Sequence, residues 1–240
     1  GMTVDLEKIT KEVRNVTPDC IIIVDGIQHS SHGAIDVQKY DIDGYVVSPY
    51  KMFSRHGYGV AWASERLCSL NKEQLADGPF QNWELGTRDA GSYATFSDVV
   101  DYLDWLGSNF TESENTRERL EASSIAIKSH EQELVDLVIN GAEDIVGLKN
   151  NKEIRIIGNP ASNSREGVVS FFQKNKPSSM IVEELRQRKI RVHIRKDDHY
   201  CGNILRPLNQ KDCIRFSICH YNSKAEVVEF MKAINEISTN

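Results

Sequence analysis

The strongest constraint on the fold is an uninterrupted apolar run at residues 20–24, Cys-Ile-Ile-Ile-Val, closed abruptly by Asp25-Gly26. The run has strand length. Without polar alternation it fits a strand covered on both faces, as in a parallel sheet. A second short strand is expected at residues 44–48, Gly-Tyr-Val-Val-Ser, after about one crossover length, and a third at residues 59–63. Upstream, Leu6, Ile9 and Val13 recur at helical spacing until Pro18-Asp19 breaks the pattern. Helix followed by buried strands is an α/β signature.

Downstream, residues 90–106 favour helix. A longer helix is expected to open at the capping box Thr111-x-x-Glu114, to place Leu120, Ile127, Leu134 and Val138 on one face, and to end near Gly141 or Gly147. The character then changes. Strands are expected at residues 153–157, 168–172, 190–194 and 214–219. One helix follows Pro177, and another opens at Ser223-x-x-Glu226 with Val227, Met231 and Ile234 inward. Residues 1–125 therefore read as an α/β domain. Residues 126–240 read as a small α+β domain, with the long helix joining the two.

Charge bears on partners. The 240 residues hold 29 Lys plus Arg against 35 Asp plus Glu, a net charge of −6, which argues against a general nucleic-acid binder. The apolar runs are far shorter than a membrane span. The first residues lack a charged-then-apolar signal pattern. The five cysteines are scattered without Cys-x-x-Cys spacing, so no metal site is indicated and free thiols in a reducing cytosol are expected. These points lead to the expectation of a cytoplasmic protein that binds neither membrane nor nucleic acid.

The densest chemical cluster is Ser48-Pro49-Tyr50-Lys51-Met52-Phe53, directly after a strand and before Gly57-Tyr58-Gly59. Ligands of α/β proteins sit at such strand ends. Ser-x-x-Lys also occurs in serine acyl-transfer enzymes, but their companion motifs are missing from this sequence. A lone loop lysine is ordinarily solvent-exposed. Lys51 is accompanied, however, by Asp25 at the end of the first strand and by Gln28 three residues later. A lysine facing a carboxylate suits pyridoxal phosphate. The amine forms a Schiff base, and the carboxylate keeps the ring nitrogen protonated so that the ring draws in electrons. Gln28 can then meet the phenolic oxygen, and Ser48 and Tyr50 offer hydroxyls to the phosphate.

Val24-Asp25-Gly26-Ile27-Gln28-His29, with Asp43-Gly44-Tyr45-Val46-Val47-Ser48-Pro49-Tyr50-Lys51, resembles the core of the class V aminotransferase family, which includes cysteine desulfurases, selenocysteine lyases and epimerase-like proteins. The family pattern is Asp-x-x-Gln followed by Ser-x-His-Lys, and Tyr50 stands here where many members have histidine. The resemblance implies a fold-type-I pyridoxal phosphate enzyme acting on a small amino acid. It also implies a homodimer, in which the threonine of Glu84-Leu85-Gly86-Thr87-Arg88-Asp89 reaches the phosphate of the other subunit's cofactor. Ile214-Arg215-Phe216-Ser217 is similar to the late family strand whose arginine binds the substrate carboxylate. His199-Tyr200-Cys201-Gly202 is similar to the loop that carries the sulfur-accepting cysteine of desulfurases. Without the resemblance, Arg215 reads as a strand arginine facing solvent and Cys201 as a small loop residue.

Only 24 residues precede Asp25. The family's N-terminal portion, with its phosphate-binding loop and the ring that stacks on the cofactor, is accordingly expected to be absent from this chain, so that residues 1–125 hold only part of the family's large domain. Three readings follow: a desulfurase or lyase that cleaves C–S or C–Se bonds; an aminotransferase or epimerase in which Cys201 is idle; and a truncated, non-catalytic binding or assembly module, or one that complements a separate N-terminal polypeptide.

Overall fold

The computed structural model describes residues 1–79, 82–83, 85–87 and 89–239. It divides into two units, Val4–Ala126, and Ile127–Asn240 together with Gly1–Thr3.

In the first unit, helix α1 (Leu6–Val16) starts where the Asp5 carboxylate accepts a hydrogen bond from the Lys8 N–H at 2.9 Å. Strand β1 (Ile23–Asp25) pairs in parallel with β2 (Gly44–Val47), placing Asp25 beside Val46. Strand β3 (Val60–Ala63) returns antiparallel to β2, so the sheet order is β1-β2-β3. A short helix α2 (Glu65–Cys68) follows, capped by Ser64. Helix α3 (Ala90–Gly107) is capped by the Asp89 carboxylate, which accepts from the Gly91 and Ser92 N–H groups. The core comprises Ile42, Tyr45, Val47, Met52 and Val99, with Ile22, Val24, Phe96 and Leu103 packed against it. Thus α3 covers one face of the sheet. The expectation that the 20–24 run is buried on both faces does not hold for Ile23, which is 57% exposed. Only residues 23–25 join the ladder, and β1 has one neighbour, so Ile22 and Val24 turn to the core while Ile23 turns away from it.

Helix α4 (Thr116–Asn140) contains the boundary between the units. It begins five residues later than the Thr111 capping box suggests. Thr111 instead accepts from the Ser113 N–H, and Asn115 Oδ1 caps the helix by accepting from the Glu118 N–H at 3.2 Å. Gly141, at φ +83°, ends it.

The second unit continues with a small hairpin, β4 (Gly141–Ala142) and β5 (Ile145–Val146). There follow β6 (Ile154–Ile156), β7 (Val168–Gln173), α5 (Ser178–Gln187), β8 (His193–Lys196), α6 (Gly202–Leu205), β9 (Asp212–Ser217) and α7 (Lys224–Thr239). Strands β6 to β9 form an antiparallel sheet in the order β6-β7-β9-β8. One face of it, through Val169, Phe171, Ile214 and Phe216, packs with α4, α5 and α7. The other face carries a smaller cluster of Phe172, Leu205 and Cys213, with Ile157, Cys201 and Leu208 against it. Strand β8 begins at His193 rather than Ile190. Lys189 adopts a left-handed φ of 63° and the Ile190 N–H bonds back to the Leu185 carbonyl, so residues 190–192 leave the helix before pairing starts. Among the described residues, no helix is long and apolar enough to cross a membrane.

Candidate active site

The parallel pairing of β1 and β2 brings their carboxyl ends side by side, and five of the expected site residues collect there. Asp25, the last residue of β1, is exposed. Its Oδ1 accepts from the Ile27 N–H at 3.1 Å, which bends the chain away from the strand. The bend leads to Gln28 and a 3-10 turn, His29–Ser31. After β2, Ser48 precedes a second 3-10 turn, Pro49–Met52, closed where the Lys51 N–H donates to the Ser48 carbonyl at 2.9 Å. The two turns pack against each other. Lys51 Nζ donates to Gln28 Oε1 at 3.4 Å and lies 6.0 Å from the centre of the Tyr50 ring. Tyr50 stacks on His56, with ring centroids 4.2 Å apart and planes at 17°.

Thr87 is exposed in the loop before α3, in the same unit. Glu84 and Arg88 of that motif lie outside the described residues. Asp89, its last member, caps α3 and pairs with Arg55.

The remaining two expected residues belong to the other unit. Cys201 directly precedes α6. Asp198 Oδ1 accepts from the backbone N–H groups of Tyr200 and Cys201, both at 2.9 Å, and these bonds hold the Asp198 carboxyl below the usual carboxylate range. The Cys201 side chain is half-buried against the Phe172, Leu205 and Cys213 cluster. Burial pushes the neighbouring Cys213 thiol up to about 11, with Cys201 adding to the effect. Arg215 is half-buried on β9, between Ser170 of β7 and His193 of β8. Burial first, then Arg215, Arg195 and Arg191, lowers the pKa of His193, so three arginines gather around this part of the sheet. Among the described residues, no cluster of three or more His, Cys, Asp and Glu is placed to hold a metal ion.

Two residues, one beside Gln28 and one at the opposite end of β2, were not singled out by sequence reasoning. His32 is 3% exposed, and its Nε2 lies 3.4 Å from Gln28 Nε2. Asp43 is buried at the head of β2, paired with Arg14 at 3.0 Å and Arg66 at 2.6 Å.

Among proteins of known type, the chain is 27% identical over 244 residues to the aminotransferase-like protein FGM3 of Gibberella zeae, covering 98% of this chain and 56% of that protein. It is 27% identical over 237 residues to a cysteine desulfurase of Synechococcus elongatus, covering 91% of this chain and 33% of the relative. The chain thus spans about half, or less, of the length of these curated relatives. Its fold resembles that of the apo cysteine desulfurase from Thermococcus onnurineus, with a TM-score of 0.76 at 21% identity, covering 100% of this chain and 57% of the other. That likeness extends the α/β arrangement seen here to the larger fold-type-I architecture, of which this chain covers part. The aminotransferase class-V family description matches residues 1–230. That span takes in the strand-end cluster together with the cysteine and arginine of the second unit, so the chain belongs to the class V aminotransferase family.

Proposed function

We propose that this chain carries the lysine-bearing part of a pyridoxal phosphate-dependent enzyme of cysteine desulfurase type, which breaks a C–S or C–Se bond in a small amino acid. The family implies the cofactor. The observation that supports its place in this chain is the juxtaposition of Lys51 and Gln28, 3.4 Å apart, at the carboxyl end of β2 beside the strand that ends in Asp25. The donor set fits the group: an amine for its aldehyde, a carboxylate for its ring N–H, an amide for its phenolic oxygen, and the hydroxyls of Ser48 and Tyr50 for its phosphate.

When bound, the cofactor draws electrons from the substrate's α-carbon. Lys51 would hold it through its amine and, when that amine is free, would take and return protons as general base and acid. Asp25 keeps the ring nitrogen protonated. Arg215 holds the substrate carboxylate through its planar fork. The Cys201 thiolate would attack the substrate's sulfur or selenium: the bond to Cys201 Sγ forms as the bond to substrate carbon breaks, and the electron pair of the broken bond stays with the carbon, where the electron-drawing cofactor would take it up. Thr87 reaches the phosphate across a homodimer.

A second reading, an aminotransferase or epimerase, draws on the half-buried seat of Cys201 against Phe172, Leu205 and Cys213. Adding pyridoxal phosphate to the full chain tests the common ground. The expected result is a near-visible absorbance band, fixed by borohydride onto the Lys51 peptide and absent in Lys51→Ala. A colourless chain that leaves the cofactor free overturns both readings. Sulfide release from cysteine that disappears in Cys201→Ala supports the desulfurase. Transamination or racemisation that persists in Cys201→Ala, without sulfide release, supports the second reading.

A further inference from the structure

Hydrogen-bond logic runs in one direction from Lys51 to His32. An ammonium group only donates, so the Gln28 atom 3.4 Å from Lys51 Nζ must be the amide oxygen, as the geometry has it. The amide nitrogen then faces His32 Nε2 at 3.4 Å. An amide NH2 also only donates, so His32 Nε2 must accept. The network therefore assigns His32 the neutral tautomer with its proton on Nδ1. His32 is buried, as are Ser30 and Ser31 before it in the turn.

The alternative state is costly at both ends of this relay. A proton on His32 Nε2 would confront the Gln28 NH2 with a second donor. Relief would come from turning the amide over, which would point its NH2 at the Lys51 ammonium. The Lys51–Gln28 bond and an Nε2-protonated His32 therefore exclude one another. Holding one amide hydrogen on His32 also leaves the second amide N–H for the ligand, so the orientation of Gln28 is fixed before any ligand arrives.

We propose that His32 is a positioning residue: its bare Nε2 sets the Gln28 amide with the oxygen toward Lys51 and an N–H available to the phenolic oxygen of pyridoxal phosphate. The statement about the ligand rests on the function proposed above, whereas the statement about the tautomer does not.

The test uses the full chain, labelled with nitrogen-15. In the cofactor-free protein, long-range proton–nitrogen spectra are expected to show His32 with Nδ1 protonated and Nε2 bare. One Gln28 side-chain amide proton, the one held by His32, should exchange more slowly than the other. In His32→Leu that amide is expected to become equivalent to a solvent-exposed one, and affinity for added pyridoxal phosphate to fall roughly tenfold, the loss of about one hydrogen bond to a positioned group. His32→Gln, which can offer a carbonyl oxygen near the place of Nε2, is expected to recover most of both signals; a merely space-filling role would be served as well by leucine. A proton on Nε2 in the wild-type spectrum overturns the proposal, as does a folded His32→Leu with an unchanged Gln28 amide. If His32→Leu does not fold, the wild-type tautomer decides alone. If the wild type binds no cofactor, the function proposed above fails while the tautomer still tests the relay.

Discussion

Asp43 shows how a single residue can tie together the strands that carry the candidate site, at the ends opposite to it. Its side chain is only 4% exposed and meets Arg14 at 3.0 Å, Arg66 at 2.6 Å and the Ile22 N–H at 2.9 Å. The Arg66 guanidinium holds the Asp43 carboxyl far below the usual carboxylate range, against the opposing effect of burial; the Ile22 N–H and Arg14 add to the depression. Arg66 also donates to the Cys20 carbonyl at 2.7 Å, so the entry to β1, the head of β2, α1 and α2 share one ion cluster. A carboxylate with a depressed folded pKa stabilises the protein above its unfolded value, near 4, and that stabilisation fades as pH falls toward the folded value. Asp43→Asn is expected to cost about 2 kcal/mol at pH 7, because it removes the counter-charge of Arg66 and one of the two carboxylates that Arg14 meets, the other being Asp41. The variant should also lose less stability than wild type between pH 5 and about 3. Urea melts across that range provide the check, and equal acid sensitivity of the two proteins would remove Asp43 from this role. Neither this cluster nor the His32 contact was legible in the sequence. Asp25, Gln28 and Lys51 were, because their chemistry is carried by residue type at short spacing. Arg14 and Arg66 stand 29 and 23 residues from Asp43, and only the folded backbone brings them together.

At the scale of elements, legibility followed how local each signal is. The Ser223-x-x-Glu226 box forms as expected: the Ser223 N–H donates to Glu226 Oε2 at 2.7 Å and the Glu226 N–H to Ser223 Oγ at 3.2 Å. The Thr111-x-x-Glu114 pattern has the same composition but no helix behind it. Arg119 Nε donates to the Ser113 carbonyl at 2.6 Å, and Asn115 takes the cap instead. The apolar run at 20–24 identified a strand correctly and its cover incorrectly, since cover depends on neighbours that periodicity does not encode. The α3–α4 corner depends on Gly107, where an added Cβ would collide with the Arg119 backbone carbonyl. Gly107→Ala keeps a helix-favouring residue at the end of α3, so propensity alone predicts a small gain. Close backbone approach should win, with a net loss of about 1–3 kcal/mol. Thermal melts of the variant test this, and an unchanged or raised midpoint would mean that the corner relaxes without cost.

The whole molecule has two units with cores of unequal depth. The unit starting at Ile127 builds one large cluster from α4, α5 and α7 against β7 and β9, with Phe216 stacked on Phe230 at 4.0 Å. In the first unit the buried cluster is small, its sheet has three strands, and Ile23, Trp62 and Trp105 remain exposed. Opening free energy follows buried apolar contact, so the two units should not exchange their amides alike. The slowest exchange is expected in β7, β9 and α7, and faster exchange in β1, β2 and β3. A ligand that binds only the folded first unit shifts that balance by mass action, by about 2.7 kcal/mol at a free concentration one hundred times its dissociation constant. Under the proposed function, saturating pyridoxal phosphate is therefore expected to slow exchange in β1, β2 and the turns carrying Gln28 and Lys51, while β7 and β9 change little. Lys51→Ala should abolish the effect. Hydrogen exchange read by mass spectrometry distinguishes the outcomes: protection confined to the first unit places the cofactor at the paired strand ends, whereas protection that appears first around Arg215, or survives Lys51→Ala, moves the anion-binding site to the arginines of the second unit.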